Sequence, residues 1–103
     1  MGIDELLSAL ETSGVPVRHL KFSQEQLPPY MVYEEDEDSF IYADGTPVLK
    51  ATDYDFTLYL RADDTSTENV IDKIFVDTRT AYEKSREYNE ELNIKEITYF
   101  INI

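Results

Sequence analysis

From Ala51 to Arg61 the chain alternates cleanly. Tyr54, Phe56, Leu58 and Leu60 fall on one side, and Asp53, Asp55, Thr57 and Tyr59 on the other. Successive side chains of a strand point to opposite faces, so a period of two describes a strand with one buried and one wet face. Such a strand belongs to an antiparallel sheet covered on one side only. Two segments have the pattern needed to cover it. Ile3, Leu6, Leu7 and Leu10 share one helical face, Asp4 and Glu5 occupy the first turn, where the helix dipole favours anions, and Gly14 and Pro16 stop the helix. The spacing predicts a helix over residues 3–13. Thr65-Ser66-Thr67-Glu68 has the form of a capping box and precedes a stripe of Val70, Ile71, Ile74 and Phe75. The two helices are expected to pack on the sheet through Leu6, Leu10, Ile71, Ile74 and Phe75.

The remaining segments supply strands. Val17 to Phe22 is a short one, and Pro28-Pro29 forces an extended entry into Tyr30-Met31-Val32-Tyr33. Five acids follow, Glu34-Glu35-Asp36-Glu37-Asp38, and then a second β-prone run, Phe40-Ile41-Tyr42-Ala43. Two such runs around a polar stretch predict a hairpin with the acidic run as its tip. Asp44-Gly45-Thr46-Pro47 is a further turn signal. Tyr82 to Tyr88 and Ile94 to Ile103 form a C-terminal hairpin in which Ile97, Tyr99, Ile101 and Ile103 alternate with Thr98, Phe100 and Asn102. The expected fold is a single α+β domain over residues 1–103. It has an antiparallel sheet of about five to six strands with two helices packed on one face, in the order α-β-β-β-β-α-β-β.

Charge and composition narrow the chemistry. The chain has 22 acidic and 9 basic residues, a formal net charge of -13, yet 42% of its residues are hydrophobic, with eight tyrosines and five phenylalanines. It can therefore bury a core and carry its charge on the surface, where it repels nucleic acid and anionic membranes. With no cysteine there is no disulfide and no thiolate metal site, and one histidine makes an all-protein zinc site improbable. The acidic run lacks the spacing and central glycine of a calcium loop. Only Gly2, Gly14 and Gly45 are glycine, so no phosphate-cradling loop is present. His19 has no cysteine to activate, and no serine lies in a nucleophile elbow. Asp53 and Asp55 project from one strand face as a carboxylate pair, but a wet sheet face offers no cleft to hold a substrate between them. Tyrosines as a stacking platform for single-stranded nucleic acid would need a basic groove, which the scattered cations do not make. Tyr59 is instead a candidate interface residue. No stretch approaches the length of a membrane span and no signal peptide is expected, which gives the cytoplasm as the default address. The expectations are no enzymatic activity, no cofactor, no metal, no membrane and no sequence-specific nucleic acid binding.

The order of motifs resembles a known family. A helix ends before Gly14-Val15-Pro16, a strand ends in His19-Leu20-Lys21-Phe22, and Pro28-Pro29-Tyr30-Met31-Val32-Tyr33 leads into the acids. Phe40-Ile41-Tyr42-Ala43-Asp44 and Tyr54-Asp55-Phe56-Thr57-Leu58-Tyr59 follow, then a helix and a tyrosine-rich hairpin. This is similar, over essentially the whole chain, to the small tail-completion or tail-terminator-like proteins of long-tailed phages and prophages of Gram-positive bacteria. The resemblance implies a non-enzymatic virion protein, assembled in the host cytoplasm. It would act as an oligomeric ring at the head-proximal end of the tail, joining tail-tube and head-connector proteins. Glu34, Glu35, Asp36, Glu37, Asp38, Asp53, Asp55 and Tyr59 are the candidate oligomer, partner or DNA-channel surface. The alternative is an acidic DNA mimic that inhibits a nucleic-acid-binding protein.

Overall fold

The computed structural model describes residues 2–103, apart from the side chain of Val48. Helix α1 (Ile3–Glu11) is followed by strands β1 (Val17–His19), β2 (Tyr30–Ala43) and β3 (Thr46–Arg61). Helix α2 (Ser66–Asp77) and strands β4 (Tyr82–Asn89) and β5 (Ile94–Asn102) complete the chain. The five strands form one sheet in the order β1-β2-β3-β5-β4, antiparallel throughout except where β1 runs parallel to β2. The α+β architecture is as expected. The expected fourth strand before α2 disappears because the runs at Tyr30 and Phe40 belong to one strand.

The strand alternation decides what is buried. Met31, Phe56, Leu58, Leu60, Ile97, Tyr99 and Ile101 lie on the covered face and share one core with Leu6, Leu10, Val15, Ile71 and Phe75. Ile74 is partly buried against that core, whereas Val70, expected in the stripe, is 45% exposed. Aromatic rings fill the centre. Phe75 stacks on Tyr99 at 4.8 Å and meets Tyr82 at 5.2 Å and the edge of Phe56 at 6.2 Å.

The end of α1 uses the glycine expected, but the start of α2 uses a different group. Gly14 takes φ of +82° after α1, a conformation that costs glycine little. At α2, Thr65 makes no side-chain cap. Asp64 takes the role, accepting hydrogen bonds from the Thr67 backbone N–H at 3.0 Å and the Thr67 hydroxyl at 2.7 Å. The bond from the Thr67 N–H is the main cause holding the Asp64 carboxyl below its ordinary range. Glu68, the supposed far member of the capping box, is buried beneath the helix instead.

The acidic run is not a hairpin tip. It lies inside β2, and the tip is the two-residue turn Asp44-Gly45, with φ of 52° and 77°. Asp-Gly is the preferred sequence for a tight turn with both φ angles positive, and it outweighs the acidic run as a turn signal. Extended backbone also suits adjacent acids here. It sends alternate carboxylates to opposite sides of a ribbon that has water on both.

Candidate functional site

Two features of the β2–β3 hairpin stand apart from the core. The first is its length. On the outer side, β1 pairs with β2 only as far as Tyr33. On the other side, β5 leaves β3 at Asp53, extended by paired bonds between Thr52 and Ile103 of 2.7 and 3.1 Å. Asp38 to Ala51 therefore form a two-stranded arm that no other strand supports. Six residues per strand at the extended rise carry it roughly 20 Å beyond the sheet. The molecule measures 53 × 25 × 24 Å accordingly. Every described side chain from Glu34 to Lys50 is exposed. Among them are Phe40, Ile41, Tyr42 and Leu49, with Ile41 61% and Tyr42 59% exposed. An isolated two-stranded ribbon is marginal in water, and apolar side chains near its tip gain nothing there.

The second feature is the face of the sheet that carries no helix. Tyr30, Val32, Glu34, Asp53, Asp55, Thr57 and Tyr59 point away from the helices. Tyr59 stacks on Tyr30, with ring centroids 4.6 Å apart. Burial and the neighbouring Glu96 push the Tyr59 hydroxyl above its ordinary range, so it stays neutral. Thr57 and Thr98 hydroxyls lie 3.4 Å apart across the strands.

The predicted acids divide between these features. Glu34 sits directly opposite Asp55. Between Glu35, paired with Tyr54, and Asp38, paired with Thr52, two residues of β2 face one of β3. This is a β-bulge, and it turns Asp36 towards Asp53 and Asp55, with which it lines a shallow depression of about 650 Å³. Burial, then the charges of Asp36, Glu34 and Asp53, raise the Asp55 carboxyl above its ordinary value. Asp53 accepts a 2.6 Å hydrogen bond from the Asn102 amide. Glu35 pairs with Nε2 of His19 at 2.7 Å, and Asp38 with Lys50 at 3.5 Å and with the Thr52 hydroxyl at 2.8 Å. The predicted residues thus divide: Glu34, Asp36, Asp53 and Asp55 gather on the open-face side of the arm's root, Glu35 turns to His19 on the other side, Asp38 meets Lys50 on the arm, and Tyr59 lies at the far end of the hairpin. Among the described residues, no group of three or more acidic or histidine side chains is arranged to hold a metal ion. No helix among them is long and apolar enough to cross a membrane.

One cluster escaped the sequence reading. Beneath α2, the Glu68 carboxylate accepts from Lys84 at 2.7 Å and Arg86 at 2.6 Å, and Lys95 lies 3.3 Å away. Asp72 accepts from Lys84 at 2.9 Å and from the Tyr99 hydroxyl at 2.6 Å. Burial, then the hydrogen bond to Asp72, drives the Tyr99 hydroxyl well above its ordinary value. The available signal was the alternation of Tyr82, Lys84 and Arg86 on β4, which places cations on the covered face. The cluster is fully partnered, with Glu68 and Lys95 buried beneath the helix and Arg86 half-exposed at its edge, so its part is structural.

No protein-family model and no curated protein matches the chain.

The geometry makes a prediction for the acids. Replacing Glu34, Glu35, Asp36, Glu37 and Asp38 by Gln and Asn is expected to leave the melting temperature unchanged or slightly raised. The Glu35–His19 contact and the Asp38–Lys50 ion pair that are lost are both exposed, each contributing about 0–1 kcal/mol, and the repulsion relieved is of similar size. Thermal unfolding followed by circular dichroism checks this. A second expectation is that the unmodified protein does not retard duplex DNA on a gel at physiological salt, because the few cations cannot neutralise phosphates against so many acids.

Proposed function

We propose that this chain is a non-enzymatic phage virion protein of the tail-completion or tail-terminator kind, acting as an oligomeric ring at the head-proximal end of the tail. The observation that carries this reading is the β2–β3 arm, a ribbon with exposed apolar side chains that no other described residue covers. A feature of that kind stabilises an assembly and contributes little to an isolated monomer. The motif order given above points the assembly to a phage tail. The charge fits the same use, since a ring made of chains at -13 lets DNA pass without capturing it. The candidate catalytic groups have other work: His19 is paired with Glu35, and Asp53 with Asn102. The exposed Phe40, Ile41, Tyr42 and Leu49 count against a DNA mimic, whose recognition surface is made of carboxylates.

The test is genetic. The gene is deleted from the phage or prophage that carries it, and induced lysates are viewed by electron microscopy. Tails of irregular length lacking heads, restored to normal virions by the gene in trans, are the expected result. Normal infectious particles without the gene would overturn the reading.

A further inference from the structure

The hairpin that carries the apolar arm at one end borders an apolar groove at the other. Beyond Tyr30 and Tyr59 the segment 20–29 folds over the open sheet face and leaves a groove of about 550 Å³, walled by Phe22, Leu27, Pro28, Val32 and Ile94. Phe22 meets the edge of Tyr30 at 5.5 Å, which fixes one wall. Leu27 stands 85% exposed on the lip. The tip at Asp44-Gly45 is separated from this groove by the length of β2, 14 residues or roughly 45 Å of extended chain. The groove of a molecule is therefore out of reach of its own arm.

Charge selects the occupant. Of the nine cations, Lys50, Lys73, Lys84, Arg86 and Lys95 are paired with carboxylates of the same chain. Arg18, Lys21, Arg61 and Arg79 have no carboxylate partner among the described residues. Two of these four border the groove. Lys21 lines it, and the Arg18 guanidinium lies 5.6 Å from the Phe22 ring. Glu25 is the one acid in the lining. A ligand that is apolar near its tip and carries an acid there matches this site. The arm has Phe40, Ile41 and Tyr42 near its tip with Asp44 in the turn, while Asp38, at its root, is already paired with Lys50.

We propose that the tip of the β2–β3 arm of one copy seats in the groove beside segment 20–29 of the next copy, head to tail. This inference rests on the ring reading above and supplies its contact. The two surfaces are different patches on one chain, so the interface is heterologous and repeats from copy to copy. It closes into a ring when the rotation per copy divides a full turn. The paired apolar surfaces leave water together, and Asp44 is brought beside Arg18 and Lys21, which lack a carboxylate partner among the described residues.

The absence of native cysteine makes the contact directly testable. Tyr42→Cys marks the arm and Leu27→Cys the groove lip; both positions are exposed, so neither substitution disturbs the core. Under mild oxidation at high protein concentration, a mixture of the two single variants should yield dimers only. The double variant should yield a ladder of dimers, trimers and larger species. Adding Ile41→Ser and Leu49→Ser should abolish the ladder while leaving the circular dichroism spectrum unchanged. The mass of the unmodified protein is measured in parallel by native mass spectrometry. A closed oligomer without arm-to-groove cross-links, or self-linking of the Tyr42→Cys variant as fast as mixed linking, would overturn the arm-in-groove contact and leave the ring standing. An unmodified protein that stays monomeric, with no cross-links, would remove both.

Discussion

Glu68→Ala is expected to lower stability by about 3–5 kcal/mol, the loss found when one partner of a buried ion pair is removed. Glu68 is 5% exposed, and its carboxylate is shared by Lys84, Arg86 and Lys95. Lys95 is itself buried, so truncation leaves an ammonium group out of water without its partner. Small domains have about 5–15 kcal/mol in total, so the variant should be partly unfolded at moderate temperature. The same cluster sets an acid limit. Burial pushes the Glu68 carboxyl upward, but hydrogen bonds from Arg86, Lys84 and Lys95 outweigh it and hold the group at about 2, against an ordinary 4.5. A carboxyl whose folded value is depressed binds its proton more readily in the unfolded chain. Its stabilisation is complete above about 4.5 and is lost as pH falls to about 2. A shift of that size is worth roughly 3 kcal/mol. Urea unfolding of both proteins at several pH values reads this directly: the gap between wild type and Glu68→Ala should be widest at neutral pH and narrow below pH 4.5. A gap independent of pH would show that Glu68 contributes through packing and not through its charge.

Phe75→Ala is expected to cost about 3–5 kcal/mol, the usual range for truncating a buried aromatic side chain. Phe75 has no exposed surface and touches Phe56, Tyr82 and Tyr99, so its removal opens a cavity between α2 and the centre of the sheet. Phe40→Ala deletes the same atoms from the arm. There the ring is 44% exposed, and among the described residues its one ring partner is Tyr42, at 6.1 Å between centroids. Its effect on the isolated chain should stay within about 0.5 kcal/mol. Melting curves of the two variants at the same concentration separate the body, which holds the fold, from the arm, which does not. Equal losses would mean that the arm is packed against the body in solution.

The body was legible because its patterns are regular. The period-two strand at Tyr54 to Leu60, the alternation of Ile97, Tyr99 and Ile101, and the Leu6–Leu10 face all lie where periodicity places them. The misreadings come from residues that fit two roles. Glu68 satisfies the spacing of a capping box, but the cations of β4 and β5 sit beneath it, and the ion cluster outweighs one N-terminal backbone hydrogen bond. The acidic run looked like a loop because five adjacent charges repel. In a ribbon solvated on both faces that repulsion is screened, Glu35 finds a polar partner in His19, and Asp38 finds a cation in Lys50. The arm was therefore invisible as an arm. The groove depends on how segment 20–29 folds back over Tyr30 and Val32, which no local pattern encodes.

The proposed assembly is held by the arm. Sedimentation velocity of the full chain from micromolar to millimolar concentration tests it most directly, beside a variant in which residues 38–51 are replaced by a tight Asn-Gly turn. The full chain should convert from monomer to one discrete larger species, and the shortened chain should remain a folded monomer at every concentration. A full chain that stays monomeric throughout, or a shortened chain that assembles equally well, would contradict it.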